Sequence, residues 1–298
     1  MRIAFVKDWH DEPEHLAGNK DGILAAVDIL TKRHHVDFFH RNNWEGRPPQ
    51  DNYDVLLCWG SLDRPWHGQL PKNIPALLCF AGGPTDHPFL ANFQHVFVES
   101  KVYEDAFRSQ GVSVSRAFGT NEQLFRPEPR TPKVFDAIYP ASFCFHKNQE
   151  LFARALGSRG LCVGPQNEEA IVGRCLQLGT PVLGRVSSKT LCDLFNMASC
   201  TVIPNGPNGG SQRTVLESLA CNVPVVCADD NDKCREFIEE SGFGLIVPPI
   251  AEAIREAVAE VMHTAWTPRG RDYILSKWTS THYADALEQG ILKVTRST

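Results

Sequence analysis

Residues 201–249 read TVIPNGPNGGSQRTVLESLACNVPVVCADDNDKCREFIEESGFGLIVPP. The stretch parses as strand, glycine loop, helix, strand, helix, strand. The loop 205–210 carries Gly206, Gly209 and Gly210 with Pro207, and Ser211 is placed to cap the helix that follows. Val215, Leu216, Leu219 and Ala220 give that helix one apolar stripe. Asn222 stands where a left-handed residue would end it. Residues 223–228 are a short β-branched run of the kind buried in a parallel sheet. A glycine loop feeding a helix N-terminus presents backbone N–H groups, which makes it a place to bind phosphate. One acidic residue, Glu217, sits inside the helix.

The remainder of the chain repeats this alternation. Strands are expected at 3–6, 36–39, 54–59, 76–80 and 95–99, with a helix over 22–32 and another from about 101 to Gly111. A polar loop, 7–21, follows the first strand. Residues 126–132, RPEPRTP, hold three prolines in seven positions and read as an extended linker. Beyond it strands are expected at 134–140, 161–164 and 182–186, with helices at 148–156, 168–178, 188–198 and 250–263, and one or two more helices over 272–292. Strands alternating with helices mean parallel sheets covered on both faces. The expected architecture is therefore α/β, with two doubly wound, Rossmann-like domains facing across a cleft. The expected domains are 1–125 and 126–276, with a terminal helix over about 277–298 able to pack back on the first.

The 298 residues are enough for two such cores. A net charge of −5 gives no general attraction for nucleic acid or an anionic membrane. No stretch approaches the roughly 20 apolar residues needed to cross a bilayer, and MRIAFVKDW is charged too early for a signal peptide. A cytoplasmic protein is expected. The ten cysteines form no C-x-x-C pair, so buried free thiols, rather than disulfides or a metal site, are the reading.

Ligands of such folds bind beyond the C-terminal ends of the strands. No G-x-G-x-x-G follows a strand and no G-x-x-x-x-G-K-[ST] is present, which argues against dinucleotide oxidoreductases and P-loop enzymes. Lys147 stands at a helix start, where it can neutralise a diphosphate or simply be solvated. Glu217 lies four residues after Arg213, so an exposed i, i+4 ion pair competes with a role in holding ribose hydroxyls. Asp230, Asn231 and Asp232 match D-x-D, but Asp232 is better read as a helix cap. In Gly82-Gly83-Pro84-Thr85-Asp86-His87, Asp86 or His87 can serve as a general base or sit in a capped turn.

Taken together, Gly210, Leu216-Glu217-Ser218-Leu219-Ala220-Cys221-Asn222, Pro224-Val225-Val226 and Gly244-Leu245-Ile246-Val247-Pro248 resemble the retaining group 1 glycosyltransferases of GT-B fold. Leu183-Gly184-Arg185-Val186, Phe125-Arg126-Pro127 and the segment 140–147 ending in Lys147 are similar to further motifs of that family. The resemblance covers about 95–250. It implies sugar transfer, with retention, from a UDP- or GDP-sugar co-substrate to a glycan or small-molecule acceptor, without metal or other cofactor. Glu217 would hold the ribose, Lys147 the diphosphate, the backbone at Arg185 and Val186 the base, and the loop of Gly209, Gly210 and Ser211 the phosphate and sugar, with Thr214 beside it. The family's first glutamate falls at Gly209, its clamp arginine at Ser142 and its first-domain histidine at Ala81. Arg213 can restore the lost charge, and Asp86 or His87 the lost base. The alternative is a catalytically weakened relative that binds nucleotide or glycan.

Overall fold

The structure is a computed structural model that describes residues 1–7, 22–40 and 52–296. The chain divides into two units: residues 1–119 with 280–298, and residues 120–279. The proline-rich stretch 126–132 lies inside the second unit.

The first unit holds strands β1 (Arg2–Lys7), β2 (His35–His40), β3 (Val55–Gly60), β4 (Ala76–Phe80), β5 (His95–Val98) and β6 (Val114–Arg116), with helices α1 (Gly22–Leu30) and α2 (Lys101–Ser109). Its sheet is parallel throughout, in the order β2-β1-β3-β4-β5-β6. β1, β3, β4 and β5 are apolar runs buried nearly end to end, as strands covered on both faces must be. The half-buried edge strand β6 is an addition to the elements expected from sequence. The polar loop after β1 lies outside the described residues.

The second unit holds β7 (Phe135–Pro140), α3 (Gln149–Leu156), β8 (Gly160–Val163), α4 (Glu169–Gln177), β9 (Val182–Leu183), α5 (Ser188–Met197), β10 (Ala198–Ile203), α6 (Gln212–Ala220), β11 (Val225–Ala228), α7 (Asp232–Ser241), β12 (Gly244–Val247), α8 (Ala251–His263) and α9 (Gly270–Lys277). The sheet order is β12-β11-β10-β7-β8-β9, again all parallel. Strands are added outward from β7 in both directions, so the fold's switch point lies between β7 and β10. β9 stops at Leu183, short of the expected Val186. Two caps also differ from expectation. Ser211 precedes α6 but its hydroxyl does not cap it, and α7 is capped by Asn231, whose side chain accepts from Cys234 N, rather than by Asp232. All ten cysteines are buried free thiols.

The last described helix, α10 (Ser280–Thr295), packs on α1 and reaches β5. Arg33 donates to Asp285 and Glu288 at 2.7 and 2.6 Å, and Gly290 lies against Phe97. A Cβ at Gly290 would fall 2.3 Å from Phe97 Cζ, on a ring only 1% exposed. Alanine would favour the helix by about 1 kcal/mol, but overpacking costs about 1–3 kcal/mol. Gly290→Ala is therefore expected to lose about 1 kcal/mol of stability in urea unfolding, and a stabilised variant would contradict this packing.

Two buried histidines in this unit make stability depend on pH. His67 is fully buried beside Trp66 and Phe93, and His95 is held between the hydroxyls of Ser113 and Ser115, each 2.8 Å away. Burial lowers both from 6.5 to about 4. Between those values the unfolded chain binds more protons than the folded one, so stability falls as pH drops from 6.5 towards 4. Each histidine contributes at most about 1.4 kcal/mol per pH unit. His67→Phe should make the decline in urea-unfolding stability from pH 7 to pH 5 shallower, and an unchanged slope would count against a neutral buried His67.

Candidate functional site

The site is assembled at the C-terminal ends of β7 and β10, adjacent strands in the second unit. β7 ends in Tyr139 and Pro140, and a loop and a short 3-10 turn, Phe145–Lys147, lead to α3. Asn148 closes the turn in the left-handed region, at φ 55°, a conformation asparagine tolerates. This bend brings Lys147 back over the glycine loop that follows β10. Its Nζ donates to Gly209 O and to Ser211 Oγ, the latter at 3.2 Å. The ammonium and the loop, 62 residues apart in sequence, thus form one constellation.

The loop owes its shape to buried amides. Asn205, fully buried, donates from Nδ2 to Gly210 O at 3.0 Å and accepts at Oδ1 from Ser211 Oγ at 3.4 Å. The Tyr139 hydroxyl lies 2.9 Å from Asn205 Oδ1 and 2.7 Å from Lys147 O, so it can donate to either loop. Asn231, also fully buried, donates to Asn205 O at 2.9 Å and Gly210 O at 3.1 Å. Cys234 Sγ donates to Gly210 O at 3.2 Å. The backbone at Gly210 and Ser211 takes φ of 64° and 86°. Serine in that region costs on the order of 1–3 kcal/mol.

Asn205 explains why residue 209 has no side chain. A Cβ there would lie 1.9 Å from Asn205 Nδ2 and 2.5 Å from its Cβ. The position where a glutamate is expected by resemblance therefore has no room for any side chain beyond glycine while Asn205 holds the loop.

The other expected residues are placed as follows, each within its own unit. Glu217 on α6 is buried, 5% exposed, and its Oε1 lies 3.7 Å from Arg213 Nε. The i, i+4 pair exists, but only the arginine is exposed. Thr214 uses its hydroxyl to bond Pro140 O at 3.1 Å, fastening α6 to the end of β7. The Ser142 carbonyl accepts from Gln149 Nε2 at 2.6 Å, which shapes the first loop. Arg185 and Val186 lie beyond β9, two strands from β7. In the first unit, His87 caps the 3-10 turn Pro88–Asn92, its Nδ1 accepting from Phe89 N at 3.2 Å. That bond assigns the neutral ring's proton to Nε2. Asp86 beside it is exposed.

Sequence reasoning passed over Tyr139, Asn205, Asn231 and Cys234. A tyrosine within a buried strand requires a partner for its hydroxyl, and that was the one available signal. Beside Lys147, Cys144 Sγ lies 3.4 Å from His146 Nε2. Burial raises the thiol and lowers the imidazole, so the pair is neutral near pH 7 and gives no thiolate nucleophile. Among the described residues no group of three or more His, Cys, Asp or Glu is arranged to hold a metal ion, the D-x-D at 230–232 included, and no helix is long and apolar enough to cross a membrane.

Gly209→Ala should cost about 1–3 kcal/mol in thermal or urea unfolding through this overlap. Adding Asn205→Ala should recover part of that loss, and strictly additive effects in the double-mutant cycle would show that the two positions do not compete for space.

The family model described as glycosyl transferases group 1 matches residues 143–264. Among solved structures, sucrose-phosphate synthase from Thermosynechococcus elongatus superposes with a TM-score of 0.75 at 15% identity, covering 100% of both chains. AviGT4, a glycosyltransferase involved in avilamycin A biosynthesis, gives 0.74 at 14% identity, covering 100% of this chain and 99% of its own. Anabaena HepE in complex with UDP and glucose gives 0.70 at 12% identity, covering 98% of this chain and 100% of its own. A sequence search of curated proteins finds no match. At these identities the structures establish the fold, and the family match is a similarity over residues 143–264. Residues 143–264 are similar to the group 1 glycosyl transferases, and the chain has the fold of the GT-B glycosyltransferases.

Proposed function

We propose that the chain transfers a sugar from a nucleoside-diphosphate sugar to an acceptor hydroxyl. The observation that carries this reading is the meeting of Lys147 with the loop of Gly209, Gly210 and Ser211 at the start of α6. A cation and a helix N-terminus converging at one strand-end switch point suit a diphosphate. In the proposed reaction the bond from the sugar's anomeric carbon to the diphosphate breaks and the acceptor oxygen takes its place, losing its proton. The developing charge on the departing diphosphate is stabilised by Lys147 and the α6 N-terminus, with no metal invoked. Anabaena HepE, of the same fold, is solved with UDP-glucose, which supports a uridine donor as the first to test.

The remaining roles are assigned on the same reading. Glu217 accepts two ribose hydroxyls, and its burial suits a carboxylate that must stay ordered. Backbone at Arg185 and Val186 meets the base. Arg213 supplies positive charge where Ser142 stands in place of an arginine. Asp86 is the candidate for receiving the acceptor proton, and His87 can share that role only by releasing the Phe89 N–H that occupies its Nδ1; configuration at the anomeric carbon is proposed to be retained. One observation favours a second reading, in which nucleotide is bound and little sugar transferred. The packing of Asn205 against Gly209 leaves no carboxylate facing the donor sugar at that position.

Titration with UDP, GDP, ADP and their sugars, followed by assay for donor hydrolysis and transfer, separates the two. Turnover supports transfer, binding without turnover supports the second reading, and no binding by the folded protein overturns both. Lys147→Ala should weaken nucleotide binding at least about tenfold by losing a charged hydrogen bond. Glu217→Ala should cost about 1–3 kcal/mol of binding, and unchanged affinity in a folded variant would remove Glu217 from the ribose.

A further inference from the structure

The carbonyl of Gly210 is surrounded by three donors: Asn205 Nδ2 at 3.0 Å, Asn231 Nδ2 at 3.1 Å and Cys234 Sγ at 3.2 Å. All three are buried, and they come from the loop itself, the cap of α7 and the first turn of α7. A carbonyl held by three groups at once cannot rotate without leaving buried donors unpaired. The peptide plane linking Gly210 to Ser211 is trans, so its C=O and N–H point in opposite directions. Fixing the Gly210 oxygen towards the three donors therefore turns the Ser211 N–H to the other side of the loop. The left-handed backbone of Ser211, at φ 86°, is the conformation that accommodates this. The Ser211 hydroxyl lies 3.2 Å from Lys147 Nζ, so the residue carrying that N–H also adjoins the cation.

We infer that Asn205 and Asn231 are positioning residues, and that they act by locking the Gly210 carbonyl inward so that the Ser211 N–H faces the diphosphate together with Lys147. Neither side chain touches the ligand. This inference rests on the nucleoside-diphosphate reading of the site, and it assigns the anion contact to one backbone N–H rather than to a side chain. It also accounts for the need for glycine at 209, since the locking amide of Asn205 occupies the space of a Cβ there.

A positioning role confined to the phosphate predicts a selective loss. Take whichever of UDP, GDP or ADP the wild type binds, and compare it with its parent nucleoside by calorimetric titration. Asn205→Ala and Asn231→Ala should each weaken the nucleotide about tenfold, while the nucleoside's affinity stays within about twofold. Cys234→Ala removes a single weak donor and should give a smaller loss of the same selective kind, which keeps the test open should an asparagine variant fail to fold. Unchanged nucleotide affinity in folded variants, or equal losses for nucleotide and nucleoside, would overturn the inference while leaving the donor reading in place. A wild type that binds no nucleotide would overturn the donor reading itself, and the inference with it.

Discussion

The second unit depends on one buried hydroxyl. Tyr139, at the end of the central strand β7, sits between the Lys147 carbonyl on one loop and the Asn205 carboxamide on the next. Burial raises the phenol's pKa, so it stays a neutral hydrogen-bonding group. Through it the turn that carries the cation and the loop that precedes α6 share a single hydrogen-bonding group. In a low-dielectric interior such shared polar groups are worth keeping only when each has a partner. Here Asn205 passes the connection to Gly210 and, through Asn231, to α7. The positions of three separate elements around the switch point are thereby coupled.

How far this was legible in the amino-acid sequence varies by residue. The two parallel sheets could be read because DVLLC, ALLCF and NVPVVCA are continuous apolar runs, and only strands covered on both faces tolerate such runs. Lys147 and the glycine loop could be picked out by their places after strands. The three-residue strand β6 could not, because an edge strand that is only half buried carries no strong pattern. The early end of β9 has the same origin, since Leu183 stands 41% exposed at the sheet edge.

Ser211 shows a different limit. Serine before a helix is ordinarily a cap, but that role assumes an extended backbone. The left-handed backbone here accompanies donors to the Gly210 carbonyl from Asn231 and Cys234, 21 and 24 residues further along the chain than Gly210. No local rule reports a contact of that range. The same holds for Asn231, which a D-x-D pattern conceals between two aspartates although it, and not Asp232, caps α7. Gly209 is the reverse case. Its lack of a side chain is plain from the sequence, and only the fold supplies the reason, which is the volume taken by Asn205.

The placement of α10 has a consequence for how the chain reaches its fold. The first unit is built from residues 1–119 and from 280–298, with Arg33 and Gly290 among its fastenings. Everything between those segments forms the second unit. As a ribosome releases the chain from its N-terminus, the second unit has all its strands before α10 emerges. The first unit must wait, with α1 uncovered on the face that α10 later takes. Domains that fold as units during synthesis normally do so in N-terminal order. In this molecule the order of completion is inverted: of the two units, the one begun earlier is completed later.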